Sequence, residues 1–238
     1  MKTTITVSKE DYLKAILEAE SEGLSVLPVT LAHWLSVTPP AVTMALKRLK
    51  RDGFVEVKTD GIVRLTSAGK EAAYRTALRH YLIERMLSEI FGMEWYQLHD
   101  EAERLEHAVS AAFEAKLIEK LGKDRACPHG NPVLPESPAQ RRKKGLVPLT
   151  EAEDNGDYVV TSLYERDPEL LLFLHHIGIN PQSKLHVRMH NYDQTIAIET
   201  PKGPATLGRP AAEKVWVQAV PPPVATSAVR GKNNRSKI

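Results

Sequence analysis

The chain has 238 residues, 42% of them hydrophobic and 26% charged, with a formal net charge of +2. That length suits two or three small domains, and the composition is that of a soluble globular protein rather than a disordered or fibrous one. The near-neutral total excludes a global basic field, so a nucleic-acid surface has to be a local patch.

In chain order, residues 8–22 are predicted to form an amphipathic helix. Ser8 serves as N-cap, Tyr12, Ala15, Ile16 and Ala19 form the buried face, and Gly23 ends it. Asp11 lies in the first turn, where a carboxylate complements the helix dipole. A short helix follows over 28–36. Thr38 then caps a helix opened by Pro39 and Pro40. Over 41–52 this helix buries Val42, Ala45, Leu46 and Leu49 and exposes Thr38, Pro39, Ala41, Thr43, Met44 and Lys47. Lys47, Arg48, Lys50 and Arg51 make its end basic, with no acid between positions 41 and 51.

Residues 54–58 alternate as a strand, Thr59-Asp60-Gly61 turns, and residues 62–65 return. Helix, helix–turn–helix, two-stranded wing and helix make a winged helix-turn-helix. Small polar and methyl-bearing side chains such as Thr38, Pro39, Ala41, Thr43 and Met44 can read base edges and thymine methyls. Lys47 and Arg51 can hold phosphates. A winged helix used only for protein contacts is the competing reading.

A long helix from 67 to 91 carries His80 and Glu84 four residues apart on one face, beside Leu78, Leu82, Ile83, Leu87 and Ile90. The next helix, 94–109, holds His99, Glu103, Glu106 and His107 on one predicted stripe, flanked by Leu105, Ala108, Val109 and Ala112 as expected core. Two imidazoles and two carboxylates there make half of a metal site; a solvated acidic face is the alternative. A third helix spans 110–121. These helices are too apolar for one wing domain to cover, so a homodimer is expected.

Residues 122–150 read as a Pro- and Gly-rich connector with Cys127 and His129 two residues apart. Beyond it, strands over 158–164, 184–189, 195–199 and 214–217, with one helix over 167–177, suggest a small barrel. The expected domains are 1–72 (DNA binding), 73–150 (helical dimerisation and metal binding), 151–220 (barrel) and 221–238 (a disordered basic tail). The fold class is α+β: winged helix-turn-helix, all-α dimerisation domain, SH3-like β-barrel.

The chain resembles the metal-dependent repressors typified by the diphtheria toxin repressor and the manganese transport regulators. The resemblance rests on Leu65-Thr66-Ser67-Ala68-Gly69, Arg79 to Arg85, His99 to His107 and Gly130-Asn131-Pro132, and spans residues 5–217. It implies a homodimer that binds a pseudo-palindromic double-stranded DNA operator when loaded with metal, and no catalysis. It also implies a principal metal site of Asp11, His80, Glu103, Glu106 and His107. Iron-responsive members carry a thioether and a thiol where this chain has Asp11 and Glu103. Hard carboxylates there favour Mn²⁺, with Fe²⁺ as the alternative. Small manganese regulators have a carboxylate where this chain has Lys14. Cys127 and His129 match a second site of longer relatives, joined by Glu84 and a barrel acid, Asp167 first and Glu165 second. His99 matches an ancillary site of the iron-responsive branch.

The expected mechanism is mutual repulsion of Asp11, Glu103 and Glu106 without metal, relieved by coordination that sets the spacing of the recognition helices. The expected outcome is repression of manganese or iron uptake genes. A winged-helix regulator sensing oxidants through Cys127 and a zinc hydrolase are the other classes. No run of about 18 apolar residues spans a membrane, no secretory segment opens the chain, and the lone cysteine fits the cytoplasm.

Overall fold

The computed structural model describes residues 7–221. The expected tail beyond Pro221 lies outside them. The first domain opens with α1 (Val7–Ser21), α2 (Pro28–Trp34) and α3 (Pro39–Arg51), followed by the wing, β1 (Val55–Val57) and β2 (Val63–Leu65). Ser8 sits inside the first turn of α1 rather than capping it, because the helix already begins at Val7. The wing pairs antiparallel with Val55 opposite Leu65. Its turn is closed by Gly61 at φ +81°, with Ile62 N donating to Asp60 Oδ1. Leu13, Ile16, Leu31, Val42, Leu49 and Val63 are sealed in one core, which fixes α3 on α1.

The second domain is built on α4 (Ser67–Glu89), whose N-cap Thr66 accepts from Gly69 N. A single 3₁₀ turn, Trp95–Gln97, leads into α5 (Leu98–Leu105), and α6 (Ala111–Leu121) follows behind the N-cap Ser110. The expected helix over 94–109 is therefore half as long as predicted. Beyond Leu105 the chain leaves helical geometry in a turn, and Leu105, Ala108 and Ala112, expected in the core, are exposed in the single chain.

The connector contains α7 (Pro138–Lys143), opened by a capping box of Ser137 and Gln140, which the proline density concealed. β3 (Leu146–Pro148) then pairs with β8 (Val215–Ala219). The sheet thus starts before the boundary expected at 151. Its order is β3-β8-β4-β5-β6-β7, antiparallel throughout, with β4 (Gly156–Leu163), β5 (Lys184–His190), β6 (Ile196–Thr200) and β7 (Gly203–Leu207). Strands β3 and β7 escaped the sequence reading because each is short and interrupted by proline or glycine. α8 (Pro168–His176) closes over the core formed by Val160, Val187, Ile198 and Val217, and α9 (Arg209–Ala212) precedes β8. No helix among the described residues is long and apolar enough to cross a membrane.

Candidate metal centres

Helix α1 offers a charge to the rest of the molecule at every fourth position. Glu10 meets Arg79 of α4 at 2.8 Å. Lys14 meets Glu106 at 2.7 Å and Glu103 at 3.1 Å. Glu18 pairs with Arg166 in the β4–α8 loop. Glu22, just past the helix, approaches Arg141 of α7 at 3.6 Å. Four-residue spacing keeps these side chains on one slowly drifting stripe. The sequence carries that period openly, but the partners lie 65 to 150 positions away and only folding joins them.

The first cluster forms between this stripe and the end of α5. Asp11, Glu106 and His107 converge. His107 Nε2 lies 2.7 Å from Asp11 Oδ1 and 3.4 Å from Glu106 Oε1. His80 Nδ1 lies 2.6 Å from Glu106 Oε2. Glu103 joins this group through the Lys14 ammonium at 3.1 Å and through His99 at 3.7 Å, and its side chain is 40% exposed. Glu10, unrecognised from sequence, sits 2.9 Å from His107 Nδ1. A carboxylate on that nitrogen fixes ring orientation and leaves Nε2 facing Asp11.

Lys14 changes the electrostatics that the sequence suggested. Its side chain is 3% exposed. Burial works against its charge, yet Glu18, Glu106 and Glu103 outweigh that and raise its pKa. Burial likewise opposes ionisation of Glu103, but Lys14, His99 and Arg166 hold its carboxyl at about 2. The expectation that Glu103 and Glu106 repel each other without metal is thus corrected: an internal ammonium lies between them. Asp11 keeps part of that repulsion: burial raises its pKa and Glu106 adds to it, against the pull of His107 and Lys14.

The expected single stripe of His99, Glu103, Glu106 and His107 is split by the early end of α5. His99 turns inward, 3.0 Å from His80 Nε2, whereas His107 faces α1. His80 also lies 3.1 Å from Glu84 Oε1, the contact implied by their spacing. The ring of His80 thereby spans from the first cluster to a second.

That second cluster joins Glu84, Cys127, His129 and Glu165, all buried. His129 Nδ1 is 3.4 Å from Glu84 Oε1 and 3.6 Å from Glu165 Oε2; Cys127 Sγ is 3.5 Å from Glu165 Oε2. Asn131, named in the sequence only as part of the Gly130-Asn131-Pro132 motif and given no role there, donates to Glu165 Oε2 at 2.7 Å. Asp167, the first-choice barrel acid, is elsewhere. It is the N-cap of α8, accepting from Leu170 N at 3.0 Å, and its other oxygen is 3.3 Å from Lys214 Nζ. The helix start claims that carboxylate, and Glu165, two residues earlier, points into the cluster instead.

Both donor sets suit a divalent cation. In the second cluster, Glu84 Oε2 and His129 Nε2 are buried without a hydrogen-bond partner, an arrangement that is costly unless something compensates it. Burial there pushes the Cys127 thiol well up, so it is neutral until a cation approaches. The first cluster, with carboxylates and imidazoles, borders an open cleft of about 660 Å³ between α1, α3 and α5, which provides an entry path. Thr38, Pro39, Ala41, Thr43, Met44, Lys47 and Arg51 are all exposed on α3 or its cap, and Ala41 and Met44 among them line that cleft. The Thr43 hydroxyl donates to Pro39 O, and Arg51 Nε contacts Asp52.

Comparison with known proteins agrees with this division. Residues 4–63 match the iron dependent repressor N-terminal DNA binding domain, and residues 66–135 its metal binding and dimerisation domain. Residues 147–219 match the FeoA domain. The iron-dependent repressor IdeR of Mycobacterium leprae is 30% identical over 224 residues, covering 89% of this chain and 96% of that protein. The diphtheria toxin repressor of Corynebacterium diphtheriae is 36% identical over 124 residues, 52% of this chain and 55% of that protein. A manganese-dependent transcriptional repressor solved in complex with manganese superposes with a TM-score of 0.77 at 31% identity, over 89% of this chain and 100% of that one. The manganese-activated repressor ScaR, in its apo form, gives a TM-score of 0.74 at 27% identity, over 88% and 100%. The chain belongs to the diphtheria toxin repressor and IdeR family of metal-dependent transcriptional repressors, proteins that bind DNA and are not enzymes.

Proposed function

We propose that this repressor is activated by Mn²⁺ and, as a homodimer, then binds a pseudo-palindromic operator. The observation that carries the choice of ion is the first cluster's donor set: Asp11, Glu106 and His107, with Glu103 and His80 adjoining, offer oxygen and imidazole and no sulfur. Such hard donors suit Mn²⁺, and Fe²⁺ less selectively. The likeness to a repressor solved with manganese supports the same reading.

In this reading Asp11, Glu103, Glu106, His107 and His80 hold the principal ion. Glu84, Cys127, His129 and Glu165 hold a second. A bound cation supplies charge neutralisation and fixed geometry. The residues do the rest: Asp11 belongs to the DNA-binding domain, the other principal donors to the dimerisation domain, so closing them on one centre ties α1 to α5. With Lys14 already between Glu103 and Glu106, one ion fills the principal site. Thr38, Pro39, Ala41, Thr43 and Met44 then read bases, while Lys47 and Arg51 hold phosphates.

The test starts from duplexes selected from a random pool in Mn²⁺. Their binding is then titrated with Mn²⁺, Fe²⁺, Co²⁺ and Zn²⁺ after chelation. Mn²⁺ restores binding to the wild type; Glu103→Ala stays weak at saturating Mn²⁺, and Cys127→Ala retains partial binding with a higher Mn²⁺ requirement. Binding that ignores chelation, or a normal response from Glu103→Ala, contradicts the reading.

A further inference from the structure

One side chain of the barrel, Arg166, reaches both the DNA-binding domain and the helical domain. Arg166 leaves the barrel in the loop between β4 and α8, immediately after Glu165 of the second cluster. Its side chain is 14% exposed. Its guanidinium pairs with Glu18 of α1, lies 5.0 Å over the ring of Trp34 at the end of α2, and comes within 3.6 Å of Glu103 of α5. The three partners belong to two domains, and Arg166 to a third. A planar guanidinium suits this place: it pairs with a carboxylate at its edge while stacking on an aromatic face, which an ammonium does less well.

A second strut has the same design. Arg141 of the connector is 6% exposed, approaches Glu22 at 3.6 Å and lies 5.0 Å over Trp216 of β8. Glu18 and Glu22 are successive steps of the α1 stripe. Trp34 packs on the core that holds α3, and only a four-residue turn separates it from Pro39. A force on the Trp34 ring therefore acts close to the start of the recognition helix.

We infer that Arg166 is a positioning residue by which the barrel sets the orientation of the DNA-binding domain, acting through Glu18 and Trp34 rather than by touching DNA. The barrel is then part of the operator-binding arrangement and not a passive appendage. The inference rests on the reading of the chain as a metal-activated operator-binding repressor.

The test is a double-mutant cycle in the full-length protein: Arg166→Gln, Glu18→Gln, the pair together, and Arg166→Lys. Operator affinity is read at saturating Mn²⁺, and amide hydrogen exchange is read without DNA. Each Gln variant should lose about tenfold in affinity, which corresponds to about 1.4 kcal/mol. The pair should lose about as much as Arg166→Gln alone, because the contact with Glu18 is already gone in that variant. Arg166→Lys should recover part of the loss. Exchange should rise in residues 14–34 and stay unchanged in β4 and β8, so that local release is distinguished from an unfolded barrel. Wild-type affinity in Arg166→Gln, losses that multiply in the pair, or exchange that rises throughout the barrel each overturn the inference. If the wild type shows no Mn²⁺-dependent operator binding, it is the functional reading that fails, and the exchange arm still decides the Arg166 contact.

Discussion

At the scale of single residues, Lys14 governs the first cluster. It is a buried cation with two carboxylates on it, and removing one member of such a pair leaves an uncompensated charge. Lys14→Met should destabilise the metal-free protein by about 3 kcal/mol at neutral pH in urea unfolding. Its pH dependence follows from two neighbours. Glu103 is depressed from 4.5 to about 2, mainly by Lys14 working against burial, so its stabilisation is complete above about 4.5 and is lost as pH falls towards 2. His80 is raised from 6.5 to about 9, where Glu84 and Glu106 overcome burial and Lys14, so its contribution is complete below about 6.5 and is lost as pH rises through 9. The metal-free wild type should therefore be most stable between those limits, and Lys14→Met should begin its acid loss at higher pH. The barrel acids separate in the same way. Glu165→Ala should weaken Cd²⁺ binding at the second cluster at least tenfold, a difference of about 1.4 kcal/mol. Asp167→Ala should leave that binding intact and cost the barrel about 1 kcal/mol, the worth of an N-cap. Equal effects on Cd²⁺ binding would refute the assignment of Glu165.

At the scale of elements, the loop from Cys127 to Asn131 is held by its backbone. Cys127 N donates to Asn131 O, Gly130 N to Cys127 O, and Leu163 N of β4 to His129 O. Gly130 has φ +87°, and a Cβ there would stand 1.9 Å from Thr161 O. Both facts require glycine: the left-handed conformation disfavours any side chain, and a strand backbone cannot retreat. Gly130→Ala should thus detach the loop from β4, abolish Cd²⁺ binding at the second cluster and speed proteolysis between Pro135 and Thr150, while the principal cluster still binds Mn²⁺. A variant that keeps second-cluster binding would show that the loop is not anchored there.

At the scale of the whole molecule, Ile90, Phe91, Leu105 and Phe113 are exposed in the single chain, all in the helical domain that matches the family's dimerisation domain. Large apolar side chains gathered in one domain mark an association surface. Light scattering at micromolar concentration should give a dimer with or without Mn²⁺, because these side chains carry no metal ligand. Phe91→Asp combined with Phe113→Asp should shift it towards monomer and reduce operator affinity without changing Mn²⁺ stoichiometry. A monomeric wild type, or a double variant that remains a tight dimer, would contradict this surface.

What the sequence determined by itself was carried by local pattern. The proline-opened, basic-ended α3, the Thr59-Asp60-Gly61 turn of the wing and the four-residue spacing of His80 and Glu84 are all short-range, and the folded chain retains each of them. The resemblance added the proposed donors, of which Asp11, Glu106 and His107 converge in the folded chain. Tertiary structure decided the rest. The end of α5 at Leu105 split a stripe that periodicity alone had kept whole. Whether Asp167 or Glu165 faced Cys127 depended on which carboxylate the start of α8 claimed. The partners of Lys14 and Arg166 are set by how three domains meet. Charge period can be read along a chain, but the identity of a buried counter-charge is a property of packing, since nothing local distinguishes an ammonium facing water from one enclosed by carboxylates.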